Sequence, residues 1–360
     1  MPRHPSIDIL RGLAIALMVV VHFADNLSAR GESSARLYDA LAWLGALPAP
    51  LFTFLAGVSF HHWIRKQKAA GMKERAITRI AWRRGLFLFA VGLAFNFCLW
   101  LPEETFNWDV LTLLGTALVL LASARHLPRS ALALIGLSIL LLSPPIRIIA
   151  DYPAYWENET FTYDNTPRDA IFGFVANGYF PIFPWLIFPL AGYLVGGANW
   201  SGRTLSASGF GLIAMAWIGV AGGEFYPGLF TRYYADGYSE FPASTAFAVG
   251  MLGVCFLSLA LARRGFDRRR LGWCPRQLRR FSAFSLTIYV VHHAVHLWPL
   301  WLYGAWMGQP EVTHYWRNAM STPLAVGLAV VFLTLCAFGL PRLERRKKYS
   351  LESLMRRVCG

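Results

Sequence analysis

Apolar stretches long enough to cross a bilayer alternate with polar, turn-rich connections along almost the whole chain. A span needs about 20 mostly apolar residues. On that measure ten are predicted: Ile7–Asn26, Leu41–Ile64, Gly85–Leu101, Val110–Ala124, Ala131–Ala150, Phe180–Gly197, Ala207–Gly223, Ala243–Ala262, Phe281–Trp301 and Pro323–Leu340. Helices are the form such segments take, because in lipid the backbone polar groups must be satisfied within the segment. The pattern reads as an all-α polytopic membrane protein with about ten transmembrane helices in one bundle. Proline and glycine interrupt two spans, in ALPAPLFTFLAG and FPIFPWLIFPLAG. Breaks at membrane depth are tolerated where freed backbone groups meet protein or water, so an internal cavity is expected. The first run follows MPRHPSIDILRG, carries Asp8, Arg11 and His22, and has no small-residue cleavage site. It reads as a retained span, not a signal peptide.

Composition agrees with this and charge orients it. Of 360 residues, 56% are hydrophobic and 15% charged, against about a quarter charged in soluble domains. A net charge of +14 would suggest nucleic acid in a soluble protein, but ten spans explain it otherwise. They put 28 of the 34 Lys and Arg on the side of the termini and 6 on the other, while Asp and Glu divide 5 against 15. The positive-inside rule then makes both termini cytoplasmic, no nucleic-acid partner is expected, and the basic patches become contacts for anionic membrane lipids. Residues 342–360 are left as a basic cytoplasmic tail behind a membrane domain of residues 1–341. The five cysteines lie in spans or on the cytoplasmic side and form no CxxC pair, so neither a disulfide framework nor a thiolate metal site is expected.

Two long connections fall on the outer side, Asp151–Tyr179 and Glu224–Pro242. Eight of the 29 residues of the first are Phe, Tyr or Trp, which argues against disorder. Aromatic faces beside carboxylates suit a sugar or another hydroxylated acceptor; an interfacial aromatic belt is the competing explanation.

Ionisable residues within spans are expensive and usually face the bundle interior. On a helix at 100° per residue, Arg11 and His22 point within about 20° of each other, about 16 Å apart along the axis, and Asp8 lies within about 40° of that line. Asp8 and Arg11 suit an ion pair at the helix entry. The ninth span carries SLTIYVVHHAVH. Entering at Phe281, it brings His292 about 16 Å up, level with His22. His292 and His296 share a face at a spacing that permits metal ligation, but no accompanying acid of the HExxH kind is present and no metal is expected. His293 points elsewhere and reads as interfacial.

The start SIDILRGLAIALMVVVHF followed by APLFTFLAGVSF resembles the bacterial relatives of lysosomal heparan-α-glucosaminide N-acetyltransferase. These belong to the transmembrane acyltransferase superfamily, with the acyltransferase-3 proteins that O-acetylate surface sugars. RIAWRRGLFLFAVGLAFN, YFPIFPWLIFPLAGYLVG and SLTIYVVHHAVH carry the resemblance through most of the membrane domain. It implies a protein of the bacterial inner membrane that moves an acyl group, acetyl by preference, from cytoplasmic acyl-CoA to an amine or hydroxyl of a glycan or glycolipid on the outer side. Acetyl-CoA is then the cosubstrate, and a homodimer is the assembly of the lysosomal relative. By motif, His22 matches the catalytic base of the acyltransferase-3 branch, and His292 a histidine shared by both branches. The lysosomal enzyme carries its proposed catalytic histidine in the loop after the first span, and ADNLSARGESSARLYDA here has none.

Under that reading the nucleotide phosphates of CoA meet guanidinium groups, Arg83 and Arg84 first, with Arg79 and Arg11 behind them. Asn96 and Tyr289 are placed to bind the thioester oxygen or to orient His22, and Asp8 supports Arg11. A proton-coupled transporter or flippase of an envelope precursor is the alternative from another class. Its histidines would relay protons, but no inverted repeat is visible.

Overall fold

The computed structural model describes residues 4–28, 35–100, 102–157, 160–164, 166–225, 238–241, 243–267, 271–308, 320–346 and 349–360. The helices are α1 (Pro5–Leu27), α2 (Ala35–Gly45), α3 (Pro48–Ala69), α4 (Glu74–Phe95), α5 (Val110–Ala124), α6 (Arg129–Ile149), α7 (Pro167–Phe172), α8 (Ile182–Trp185), α9 (Ile187–Gly197), α10 (Gly202–Phe225), α11 (Thr245–Phe266), α12 (Trp273–Ala283), α13 (Ser285–Trp306), α14 (Thr322–Arg346) and α15 (Leu351–Cys359). Among the described residues the one sheet is a hairpin of β1 (Trp156–Glu157) and β2 (Thr160–Phe161), with Trp156 opposite Phe161.

Among the described residues eight helical segments are long and apolar enough to cross a membrane: Pro5–Leu27, Leu37–Ala69, Glu74–Trp100, Arg129–Ile149, Pro167–Gly197, Gly202–Gly222, Thr245–Phe266 and Thr322–Arg345. The chain is therefore an all-α polytopic membrane protein. Two of the ten expected spans stand outside the eight. Helix α5 has 15 residues, and α13 has 22 but is diluted by His292, His293 and His296.

Three boundaries differ from the sequence reading. Helix α4 starts at Glu74, not Gly85, because ERAITRIAWRR holds neither glycine nor proline and simply continues the helix into the basic stretch. The sixth span is broken into α8 and α9 among Pro181, Pro184 and Pro189. The ninth is two helices, with a bend at Phe284 (φ −118°, ψ 26°), so His292 lies two turns into α13 and not eleven residues above an entry at Phe281.

By their contacts the helices group into two compact units, Thr53–Gly265 and, discontinuously, His4–Phe52 with Phe266–Val358. In the first unit, α3 and α9 touch backbone to backbone. A Cβ on Gly57 would stand 2.0 Å from the Pro189 carbonyl oxygen, and one on Gly192 1.9 Å from that of Phe54. Small residues that allow such approach are the usual packing device between membrane helices. Asp109 caps α5, accepting from the amides of Leu111 and Thr112.

The connection after α6 is ordered by its own aromatic side chains. Trp156 Nε1 donates to the Asn177 carbonyl at 2.8 Å, and Asn177 Nδ2 donates to that of Ala150 at 2.9 Å. Thr166 and Asp169 form a capping box on α7, and the Tyr155 hydroxyl donates to Asp169 Oδ1 at 2.6 Å. Burial, then the bond to Asp169, pushes the Tyr155 phenol up to about 12. Phe161 is buried against Tyr155, Trp156, Tyr163 and Tyr179. Packing thus uses several of the rings that the sequence offered to an acceptor. Of the second long connection, 226–237 and 242 lie outside the described residues.

In the second unit α1 packs on α12, α13 and α14. A Cβ on Gly12 would fall 1.8 Å from the Leu278 carbonyl oxygen, so α1 and α12 cross there in backbone contact. The expected tail contains α15, whose Glu352 accepts from Thr287 N at 3.0 Å and Thr287 Oγ1 at 2.7 Å. Thr287 is in the first turn of α13, so Glu352 performs from a distance the work of a helix cap, satisfying an amide that the helix itself leaves unpaired.

Candidate functional site

Helices α1 and α13 meet along two rungs. His22 Nδ1 lies 2.9 Å from His292 Nε2, and four residues on Asn26 Nδ2 lies 2.9 Å from His296 Nε2. Matching i, i+4 pairs put both contacts on one face of each helix. Numbering increases in the same direction along both, so the two helices run parallel here. Sequence reasoning missed Asn26; the available signal was its spacing from His22, repeated between His292 and His296.

Backbone carbonyls settle the tautomers of the α13 imidazoles. His292 Nδ1 contacts the Ile288 oxygen at 2.9 Å, His293 Nδ1 that of Tyr289 at 3.0 Å, and His296 Nδ1 that of His292 at 2.6 Å. A carbonyl only accepts, so each Nδ1 carries the hydrogen and each Nε2 presents a lone pair. The Nε2 of His292 therefore accepts, which makes His22 Nδ1 the donor. That leaves Nε2 of His22 with its own lone pair. His292, His293 and His296 are 0%, 2% and 4% exposed, while His22 keeps part of its surface open. Of the four histidines, His22 alone is not fully buried.

The other expected residues are placed as follows. Tyr289 is buried within the cluster, its ring 6.4 Å from that of His22 and 5.1 Å from that of His293. His293 is not interfacial. It is buried, with its ring 4.5 Å from that of His22, because its i−4 carbonyl bond folds the side chain back along the helix. The nitrogens of His22, His292 and His293 lie within 4.8 Å of one another and could hold a metal ion. His296, weighed from sequence as a partner of His292 in ligation, pairs with Asn26 instead. About 16 Å down α1 from His22, Arg11 contacts Asp8 at 3.7 Å and donates to Ser282 Oγ at 2.7 Å and the Ser282 carbonyl at 3.3 Å, tying α1 to α12.

Arg79, Arg83, Arg84 and Asn96 belong to the other unit. Arg79 and Arg83 line an open groove of about 470 Å³. Arg84 turns the other way, its guanidinium 4.9 Å from the Trp63 ring centre. Asn96 is buried; its Nδ2 donates to the Thr105 carbonyl at 3.2 Å, and Oδ1 has no partner among the described residues.

No curated protein matches the chain. A family profile does, that of the catalytic region of heparan-alpha-glucosaminide N-acetyltransferase, over residues 3–226. The match takes in Asp8, Arg11, His22, the α4 arginines and Asn96, and ends before α13. Covering more than half of the chain, and joined to a polytopic helical fold, it places this protein in the heparan-alpha-glucosaminide N-acetyltransferase catalytic family, as a membrane acetyltransferase in general kind.

Proposed function

We propose that the chain transfers an acetyl group from cytoplasmic acetyl-CoA to an amine or hydroxyl of a sugar-containing acceptor on the outer side of a bacterial inner membrane. The observation that carries the reading is His22. It is a partly buried histidine whose Nδ1–H is held by His292, leaving the lone pair on Nε2 to act as the base. The acceptor attacks the thioester carbonyl while His22 Nε2 takes its proton. The carbon–sulfur bond then breaks, and the departing CoA thiolate receives that proton from the imidazolium. A positioned general base contributes about 10²–10⁴-fold. His292 touches no substrate in this scheme and acts through His22 as a positioning residue, which revises the catalytic role expected for it from sequence. Arg11 is engaged with Asp8 and Ser282 and acts as structure at the foot of α1.

The test is transfer from labelled acetyl-CoA in membranes carrying wild type or His22→Ala, with an amino sugar and a neutral sugar as acceptors. The expected result is a fall of at least about 10²-fold with protein abundance unchanged. Full activity of His22→Ala would remove His22 from the reaction.

A further inference from the structure

Arg75, Arg79 and Arg83 stand at successive i, i+4 positions of α4, all exposed, and line the 470 Å³ groove with Glu74, Thr78, Trp82, Leu86 and His126. The groove's one carboxylate is already engaged. Glu74 Oε1 pairs with Lys68 at 2.7 Å, and Oε2 pairs with Arg125 at 2.5 Å. Arg125 also donates to Thr78 Oγ1 at 2.9 Å. Among the described residues no ion pair reaches Arg75, Arg79 or Arg83. Three like charges on one helix stripe repel, so this face calls for an anion from outside the chain.

The stripe does not end with its charges. Trp82 is 45% and Leu86 59% exposed, and beyond them Ala90, Ala94 and Phe97 are open as well. At 100° per residue, Arg75 to Ala94 with Trp82 fall within about 120° of arc, and Arg75 and Leu86 are about 16 Å apart along the axis. One face of a helix thus passes from guanidinium groups to indole to aliphatic surface. A matching ligand has phosphate at one end and hydrocarbon at the other.

We propose that this face of α4 is a binding site for an anionic phospholipid, with the phosphate held by Arg79 and Arg83 and an acyl chain laid over Trp82, Leu86 and Ala90. Arginine matches phosphate oxygens two at a time, and indole settles where headgroup meets hydrocarbon. Sequence alone offered these arginines both to the CoA phosphates and, as part of a basic patch, to anionic lipid; the apolar continuation selects the lipid over the nucleotide, which has nothing to set against Leu86 and Ala90. The inference is independent of the acetyl-transfer reaction.

The experiment purifies the full chain from mixed phosphatidylglycerol and phosphatidylcholine vesicles and measures co-purifying lipid by native mass spectrometry. Wild type is compared with Arg79→Gln/Arg83→Gln and with Trp82→Ala/Leu86→Ala. All four positions are exposed, and melting curves check that the variants fold. Wild type is expected to retain phosphatidylglycerol over phosphatidylcholine. The double arginine variant should lose that preference by about fivefold per charge removed, and the apolar variant should bind less of both lipids. Inorganic phosphate and 3′-phosphoadenosine 5′-diphosphate serve as competitors, and neither should displace the lipid. Equal retention by all three proteins overturns the proposal, and so does displacement by the nucleotide, which would return these arginines to CoA.

Discussion

Removing His292 tests the wiring of the site more sharply than removing the base itself. In His292→Ala the His22 Nδ1–H keeps its place between α1 and α13 but loses the acceptor 2.9 Å away. An unsatisfied buried donor costs about 1–3 kcal/mol. The ring recovers this by turning over or by changing tautomer, and in either case Nε2 is no longer the presented base. The same energy, taken from the transition state, predicts a fall in kcat of about 5- to 150-fold. The KM for acetyl-CoA should stay near wild type, since His292 is fully buried and reaches no substrate. His292→Gln offers an amide oxygen to Nδ1–H and should recover part of the rate. The decisive measurement is a double-mutant cycle in the membrane transfer assay. A residue that acts only through His22 makes no difference once His22 is gone, so His22→Ala/His292→Ala should be as slow as His22→Ala alone. Independent, multiplying losses would refute the positioning role, and full activity of His292→Ala would refute the dyad.

Two further outcomes follow from the surrounding structure. Glu352→Ala removes the carboxylate that accepts from Thr287 N and Oγ1 and should lower stability by about 1 kcal/mol. Hydrogen exchange should rise at the first turn of α13; unchanged protection there would show that α15 does not hold that helix. Tyr155 titrates near 12 when folded and near 10 when unfolded, so between those values the unfolded chain releases a proton that the folded one keeps. Stability contributed by Tyr155 is therefore complete below pH 10 and is lost as pH rises toward 12. Spectrophotometric tyrosine titration should show one phenol fewer ionising late in Tyr155→Phe, and an unchanged titration curve would dismiss the shift.

The apolar periodicity along the chain was enough to establish the membrane class and most of the helices, since each span must satisfy its own backbone whatever surrounds it. It also placed Asp8, Arg11 and His22 on one stripe, because rotation per residue along a single helix is fixed. Helix ends were less legible. The basic start of α4 carries no local stop, and the bend at Phe284 has no proline to mark it. Partners across helices could not be read at all. That His22 meets Nε2 of His292, that His293 is buried and not interfacial, that Asn26 reaches His296 and that Glu352 caps a helix 65 positions earlier in sequence depend on how separate helices pack. Packing joins residues that local spacing leaves unrelated. The sequence supplied an imidazole within an apolar span, and the tertiary structure determined which of its two nitrogens is bound by a neighbouring helix.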